Sequence, residues 1–366
     1  MIARIIVILL ILLNLFVALN KKRSKPLLVV TSFFIILFFV GSRGVLDLPV
    51  YNDFYRYGFE HFGNGGQFLF QGFTLWCSRI GMPFDIYRLI ISVVGISLYC
   101  VFIERHSPLP NLVMAFYMCY LMFMDDVQIK NFIACAAFGM GLSHLLKHDK
   151  NWKIQYVIWI IVAGTLHSSF WVYFLLLLIP KDEKKDKLMI LIGLAALAFS
   201  IFVLFFRDHL NEIALIFSFI DEEKTEKYAV ESNNFGSALF IIIQFFAVSC
   251  LFILKKYLVK NKVIKYHGYS ISQSLQLIFI VDVLSLMLVP AAIFSITFYR
   301  LVRNLFMLNA VAFSFGYYYA KNSRRLLPLL MLACYTWLYY FYDLTMEGNI
   351  EGILNPFFNN NIFFSL

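Results

Sequence analysis

The chain has 366 residues, of which 61% are hydrophobic and only 14% charged, with a mean hydropathy of +0.76 and a formal charge of +9. No soluble fold of this size hides that much apolar surface, which excludes a water-soluble enzyme and leaves no basic module for nucleic acid. Apolar runs of roughly membrane-spanning length recur from end to end between short polar joints, predicting one all-α, multi-pass transmembrane domain over residues 1–366.

In chain order, the first run is Ile5 to Leu19, followed by Lys21, Lys22, Arg23 and Lys25. No small-residue cleavage site follows it, so it reads as an anchor helix rather than a removable signal. The basic joints are 21–25, 147–153, 180–187, 255–265 and 321–325. Cytoplasmic loops carry the Lys and Arg excess, so these joints are placed inside, with Glu104 to Asn111 as a short inner turn. The alternate joints then face outward: about 42–67, 125–131, 207–236 and the tail after Phe341. They hold most of the acids, among them Asp47, Asp53, Asp125, Asp126, Asp343 and Glu351.

Ile154 to Ile179 breaks the parity, because one crossing cannot join two basic joints on the same side. The economical solution is two short helices meeting at the polar turn Gly164 to Ser169, which contains His167. A broken hairpin of this kind needs protein or a wet cavity around its free backbone groups. Counted as two, it brings the total to about twelve membrane helices in a single bundle, with both termini outside.

Cations mark the outer half. Arg43 closes the second predicted helix, Lys130 opens the fifth, and Arg300 and Arg303 stand one turn apart at the start of the eleventh. A cation facing lipid at mid-helix costs about 2.5–3.5 kcal/mol, so the set is expected to line a shared wet cavity; snorkelling to headgroups is the alternative for each taken singly. Such a cavity suits an anion, and the planar fork of Arg suits phosphate oxygens. At an outer membrane face the activated anionic substrates are lipid-linked phosphates and pyrophosphates. A sugar on a lipid pyrophosphate brings its own leaving group, which leaves the enzyme to neutralise that group and deprotonate an acceptor hydroxyl.

Other features carry two readings. Asp125-Asp126 is either a metal-binding pair or an acidic helix end; no adjacent His or acid completes a metal set, and the second reading is preferred. His144 and His148 fit a helix C-terminus better than a metal. Asp85 and Arg88 read as a local i, i+3 ion pair. Asp282, inside the tenth predicted helix, is either a proton relay of a transporter or a buried acid with polar partners. The six cysteines form no CxxC pair and read as small core residues.

Three stretches resemble the EpsG-type membrane proteins, a branch of the Wzy-like polymerases of bacterial exopolysaccharide, capsule and O-antigen. SRGVLDLPVYNDFY (Ser42 to Tyr55) is similar to that family's outer loop, with Arg43, Asp47 and Tyr51 in its Arg, Asp and Tyr places. IKNFIA (Ile129 to Ala134) carries Lys130 and Asn131 where the family shows an Arg-Gln pair, keeping the cation but losing the bidentate fork. AGTLHSSFWV (Ala163 to Val172) is the closest match and supplies His167. A glutamate common in the family is Gln71 here, and YRLVRN (Tyr299 to Asn304) looks like the family's late Arg-bearing helix.

The resemblance implies a polymerase joining undecaprenyl-pyrophosphate-linked repeat units at the outer face of the bacterial cytoplasmic (inner) membrane. In it, Arg43, Lys130, Arg300 and Arg303 hold the pyrophosphate and His167 or Asp47 takes the proton. Tyr51, Tyr55, Gln71 and Asn131 contact glycan. No cofactor or metal is implied; the expected partners are the lipid-linked oligosaccharide, membrane lipid, and a chain-length regulator and flippase of the same pathway. His167 has the alternative of merely capping the hairpin. A flippase, a glycan ligase and an acyltransferase are the competing functions; against the flippase, no internal repeat is visible.

Overall fold

The computed structural model describes residues 1–58, 66–147, 150–179, 186–206, 234–259, 265–266, 269–290, 299–321, 324–345 and 349–364. Most of the predicted outer segment 207–236 lies outside them, as does His148. The chain forms two compact units, Met1–Phe174 with Ser314–Leu366, and Leu175–Phe313.

The regular elements among the described residues are helices apart from one antiparallel pair of two-residue strands, β1 (Lys265–Tyr266) and β2 (Tyr269–Ser270). In the first unit, α1 (Ile2–Leu19) and α2 (Lys25–Gly41) are joined by the basic turn. They are followed by α3 (Leu48–Tyr57), α4 (Phe68–Arg79), α5 (Phe84–His106), α6 (Pro110–Cys119), α7 (Leu121–Val127), α8 (Ile129–Lys147) and α9 (Trp152–Leu166). The second unit holds α10 (Asp186–Phe206), α11 (Asn234–Val259), α12 (Ile271–Ser285) and α13 (Tyr299–Arg303). Helix α14 (Phe306–Tyr319) leads back to the first unit, which ends with α15 (Leu326–Leu344), a π-helical turn (Ile350–Leu354) and α16 (Asn355–Asn359).

Against the expected count of about twelve, six helices among the described residues are long and apolar enough to cross a membrane. These are Ile2–Leu19, Phe84–His106, Ile129–Lys147, Lys187–Phe206, Ala238–Leu258 and Ile271–Leu288; four further apolar helices are shorter. Together they make the chain a multi-pass membrane protein. Helix α4 follows α3 in the chain. Its 12 residues rise only about 18 Å, too short to cross.

One end of the first unit is basic and tied together by polar bonds. Ser24 caps α2, accepting from the Leu27 N–H, with Pro26 in the first turn. Behind it, buried Asn14 donates to Thr31 Oγ1 at 2.8 Å, and Asn111 donates to Asn14 Oδ1 at 2.8 Å, joining α1, α2 and α6. Each buried amide satisfies the next, so these apolar helices gain a defined register.

The predicted break in 154–179 is present. Helix α9 stops at Leu166, His167 is extended (φ −148°, ψ 115°), and a 3₁₀ helix runs from Ser168 to Leu178. The second arm folds back on the first. The Tyr156 hydroxyl donates to the Tyr173 carbonyl at 2.7 Å, and the Trp171 ring lies so close to Gly164 that a Cβ there would meet it at 2.5 Å. Only glycine permits that approach.

Candidate active site

The site is built around the C-terminal end of α2. Such an end leaves its last carbonyls without helical partners and carries partial negative charge, so it calls for donors and favours cations. Two arginines and the C-terminal tail supply them. Arg43 turns back on its own helix, Nη1 donating to Val40 O at 2.7 Å and Ser42 O at 2.9 Å. Arg88, on α5, donates to the same two carbonyls at 3.2 and 3.1 Å, and also to Phe39 O and Ser42 Oγ. From the tail, Asn361 Nδ2 donates to Phe38 O at 3.1 Å and the Ile362 N–H to Gly41 O at 2.9 Å.

The two arginines have different counterions. Arg43 Nη2 meets Asp85 Oδ2 at 2.8 Å, and both side chains are partly exposed, at 35% and 50%. Arg88 Nη2 meets Asp126 Oδ1 at 3.3 Å, with both side chains almost wholly buried. The expected local pair between Asp85 and Arg88 is therefore corrected. The fold gives Asp85 to the loop arginine, and Arg88 points inward to an acid on α7. Sequence reasoning named Arg88 and Asp126 but did not join them to each other or to the end of α2. The available signal was an arginine near the start of an apolar helix, which asks for a partner beyond its own turn.

Phe39, Arg88, Ser92, Asp125, Asp126 and Phe132 line a narrow crevice among α2, α5, α7 and α8. Asp126 lies in the joint between the α5 and α8 spans. Its Oδ2 is buried without a hydrogen-bond partner, and burial pushes its pKa up to about 6 against the pull of Arg88 and Arg43. Asp125 accepts from the Tyr117 hydroxyl at 3.0 Å. The pair thus stands at the end of helix α7 with a tyrosine and an arginine as partners. No group of three His, Cys, Asp or Glu is arranged to hold a metal among the described residues.

The other predicted site residues are distributed as follows. Asp47 is the half-buried N-cap of α3. Tyr51 packs its ring against Phe54 and Phe70, while Tyr55 is buried with its hydroxyl donating to Met82 O. Gln71 is half-buried on α4. Lys130 is half-buried and Asn131 buried in the first turn of α8.

His167 is half-buried at the break of the hairpin. Its Nδ1 faces the Ser169 N–H at 3.3 Å and Ser169 Oγ at 2.8 Å. A backbone N–H can only donate, so Nδ1 carries the lone pair and a neutral ring has its proton on Nε2. In that tautomer His167 is a donor. The hairpin also sets its height. Gly141 of α8 sits against Tyr156 and Trp159, and the antiparallel course carries α9 roughly ten residues, about 15 Å, further to His167. That is level with the turn of Lys130 and Asn131.

Arg300 and Arg303 belong to the second unit. Arg300 is half-buried, whereas Arg303 is buried, donating to the Tyr299 hydroxyl at 2.7 Å with its guanidinium over the Tyr299 ring. Asp282 in the same unit accepts from Asn309 Nδ2 at 2.9 Å, which bears out a polar partner for this intramembrane acid.

Neither the curated proteins nor the solved structures contain a match to this chain. Among protein families, the EpsG family matches residues 26–358, a span that includes the α2 end, the hairpin and the late arginines. The chain belongs to the EpsG family.

Proposed function

We propose that the protein is a polysaccharide polymerase that joins lipid-pyrophosphate-linked oligosaccharide repeat units by glycosyl transfer at the extracytoplasmic face of the bacterial cytoplasmic membrane. The observation that carries the reading is the family match over nearly the whole chain, which points to a glycosyltransferase-like polymerase of polysaccharide biosynthesis. The α2 end supports it with suitable chemistry. Arg43 is a cation held by carbonyls and an open carboxylate, so an arriving pyrophosphate can replace Asp85 on its guanidinium without unfolding anything. Lys130, Arg300 and Arg303 are the further candidates for neutralising the leaving group.

In the transfer, the acceptor hydroxyl attacks the anomeric carbon, the bond from that carbon to the pyrophosphate oxygen breaks, and the hydroxyl proton passes to a base. Asp47 and His167 are the two candidates. The tautomer of His167 favours Asp47 as base and His167 Nε2–H as a donor to the reacting oxygens. Tyr51, Gln71 and Asn131 are assigned to glycan contact; Tyr55, with its hydroxyl engaged, contributes packing.

The test is genetic and chemical. Deleting the gene and resolving the lipid-linked glycans on a gel should reveal single repeat units accumulating at the outer face. Units held on the cytoplasmic side would identify a flippase. Full-length glycan retained on the lipid would identify a ligase.

A further inference from the structure

Arg88 occupies a position that burial alone does not justify. A buried ion pair gives little net stability, because desolvating two charges offsets their attraction. Arg88 nonetheless spends its donors on four acceptors of one short segment, Phe39 O, Val40 O, Ser42 O and Ser42 Oγ, before reaching Asp126. Two of those acceptors, Val40 O and Ser42 O, are the same oxygens that hold Arg43. Two guanidinium groups sharing two carbonyl oxygens lie side by side, and their like charges repel unless each is separately neutralised. Asp126 does this for the buried group and Asp85 for the open one.

We propose that Arg88 is a positioning residue: anchored by Asp126, it clamps the end of α2 and fixes Arg43 so that the edge now meeting Asp85 serves as the anion-binding group. This rests on the reading of Arg43 as a pyrophosphate ligand. Arg88 itself is buried and bonds the helix end, so it acts through Arg43. An arginine is required at this place because its fork reaches several acceptors at once, which a single ammonium cannot do. The carbonyls fix where the fork lies, and the acid keeps its charge balanced in the interior.

Full-length protein in nanodiscs tests this with two readouts, the dissociation constant for inorganic pyrophosphate and the mobility of a spin label on Leu46→Cys in a Cys334→Ser background. Leu46 is exposed and three residues from Arg43. In Arg88→Lys the label should gain mobility and pyrophosphate should bind about ten-fold more weakly, from the loss of charge-assisted bonds that aim Arg43. Arg88→Met with Asp126→Leu removes the pair without stranding a charge, and should show the same two changes in a folded protein. Arg43→Ala combined with Arg88→Lys should bind no more weakly than Arg43→Ala alone, because Arg88 has no separate contact with the anion. Unchanged label mobility in both Arg88 variants overturns the clamp, as does an additive loss in the combined variant. If Arg43→Ala leaves pyrophosphate binding intact while the Arg88 variants free the label, the clamp stands and the reading of Arg43 as a pyrophosphate ligand falls.

Discussion

The two ends of the first unit treat their cations in opposite ways. At the basic end, Lys21 donates to Tyr318 O at 2.6 Å, Arg23 to Glu104 O at 3.1 Å and Arg325 to Leu19 O at 2.5 Å. About 25 Å away along α2, Arg43 and Arg88 also bond carbonyls, but each additionally faces a carboxylate from another helix. Cations that cap helix ends follow from the helix dipole and suit a surface of lipid headgroups. A partly exposed cation balanced by an acid, as Arg43 is, can exchange that acid for another anion. On the proposed reading, the acidic end is therefore the one that carries the chemistry.

The sharpest way to break this comparison is to remove one cation from each end. Arg43→Ala should lower polymerisation of purified lipid-linked repeat units by about 10²- to 10³-fold, the range for losing a donor to developing negative charge. Lys21→Ala and Arg325→Ala should leave the rate unchanged at equal abundance. Equal losses at both ends would erase the distinction.

Next in size is the buried counterion. Asp126→Ala leaves Arg88 charged and unpaired, and should destabilise the protein by about 3–5 kcal/mol in denaturant unfolding, whereas the paired change Arg88→Met with Asp126→Leu should recover most of that. The tail offers a smaller effect. A Cβ at Gly41 would stand 2.4 Å from Asn361 Oδ1 and 2.7 Å from the Phe363 ring. Gly41→Ala should therefore lift the tail from α2 at a cost of about 1–3 kcal/mol, read as a lower melting temperature and faster proteolysis after Asn355.

Two fine adjustments follow. Asp85→Asn removes the resting counterion of Arg43 and should tighten pyrophosphate binding about two- to five-fold, in keeping with the small worth of an open ion pair. The pH dependence of Asp126 has the opposite sign to that of a salt-bridged surface acid. Its pKa in the fold, about 6, exceeds the unfolded value because burial favours the neutral form. Its ionisation therefore costs stability above pH 6, and that cost disappears as pH falls through about 6 toward about 4. Melting curves of the wild type and Asp126→Asn should differ in slope over that window.

Much of the architecture is legible before folding, because membrane helices are chosen by local composition. The run Ile5 to Leu19, the basic joints and the stretch too long for one crossing but long enough for two short arms all follow from hydropathy, charge and parity. The break fell where it was expected, at Gly164 to Ser169, since a polar turn inside an apolar run has few alternatives. Arg43 was also singled out by its place at the end of a span, whereas Asp47 entered through the family resemblance.

What the sequence could not determine was which charge meets which. Asp85 and Arg88, one turn apart, invite pairing with each other, yet side-chain direction and packing send Asp85 to Arg43 and Arg88 to Asp126, 38 residues away. The covering of α2 by Asn361 and Ile362 is likewise invisible, because it joins residues more than 300 positions apart. The tautomer of His167 depends on the particular turn that brings the Ser169 N–H to Nδ1. Composition sets where helices lie and which end is basic, through the cost of placing charge in lipid. The partners of the buried charges are set by the tertiary structure, because a charge taken out of water must be satisfied by whichever group the packing brings within reach.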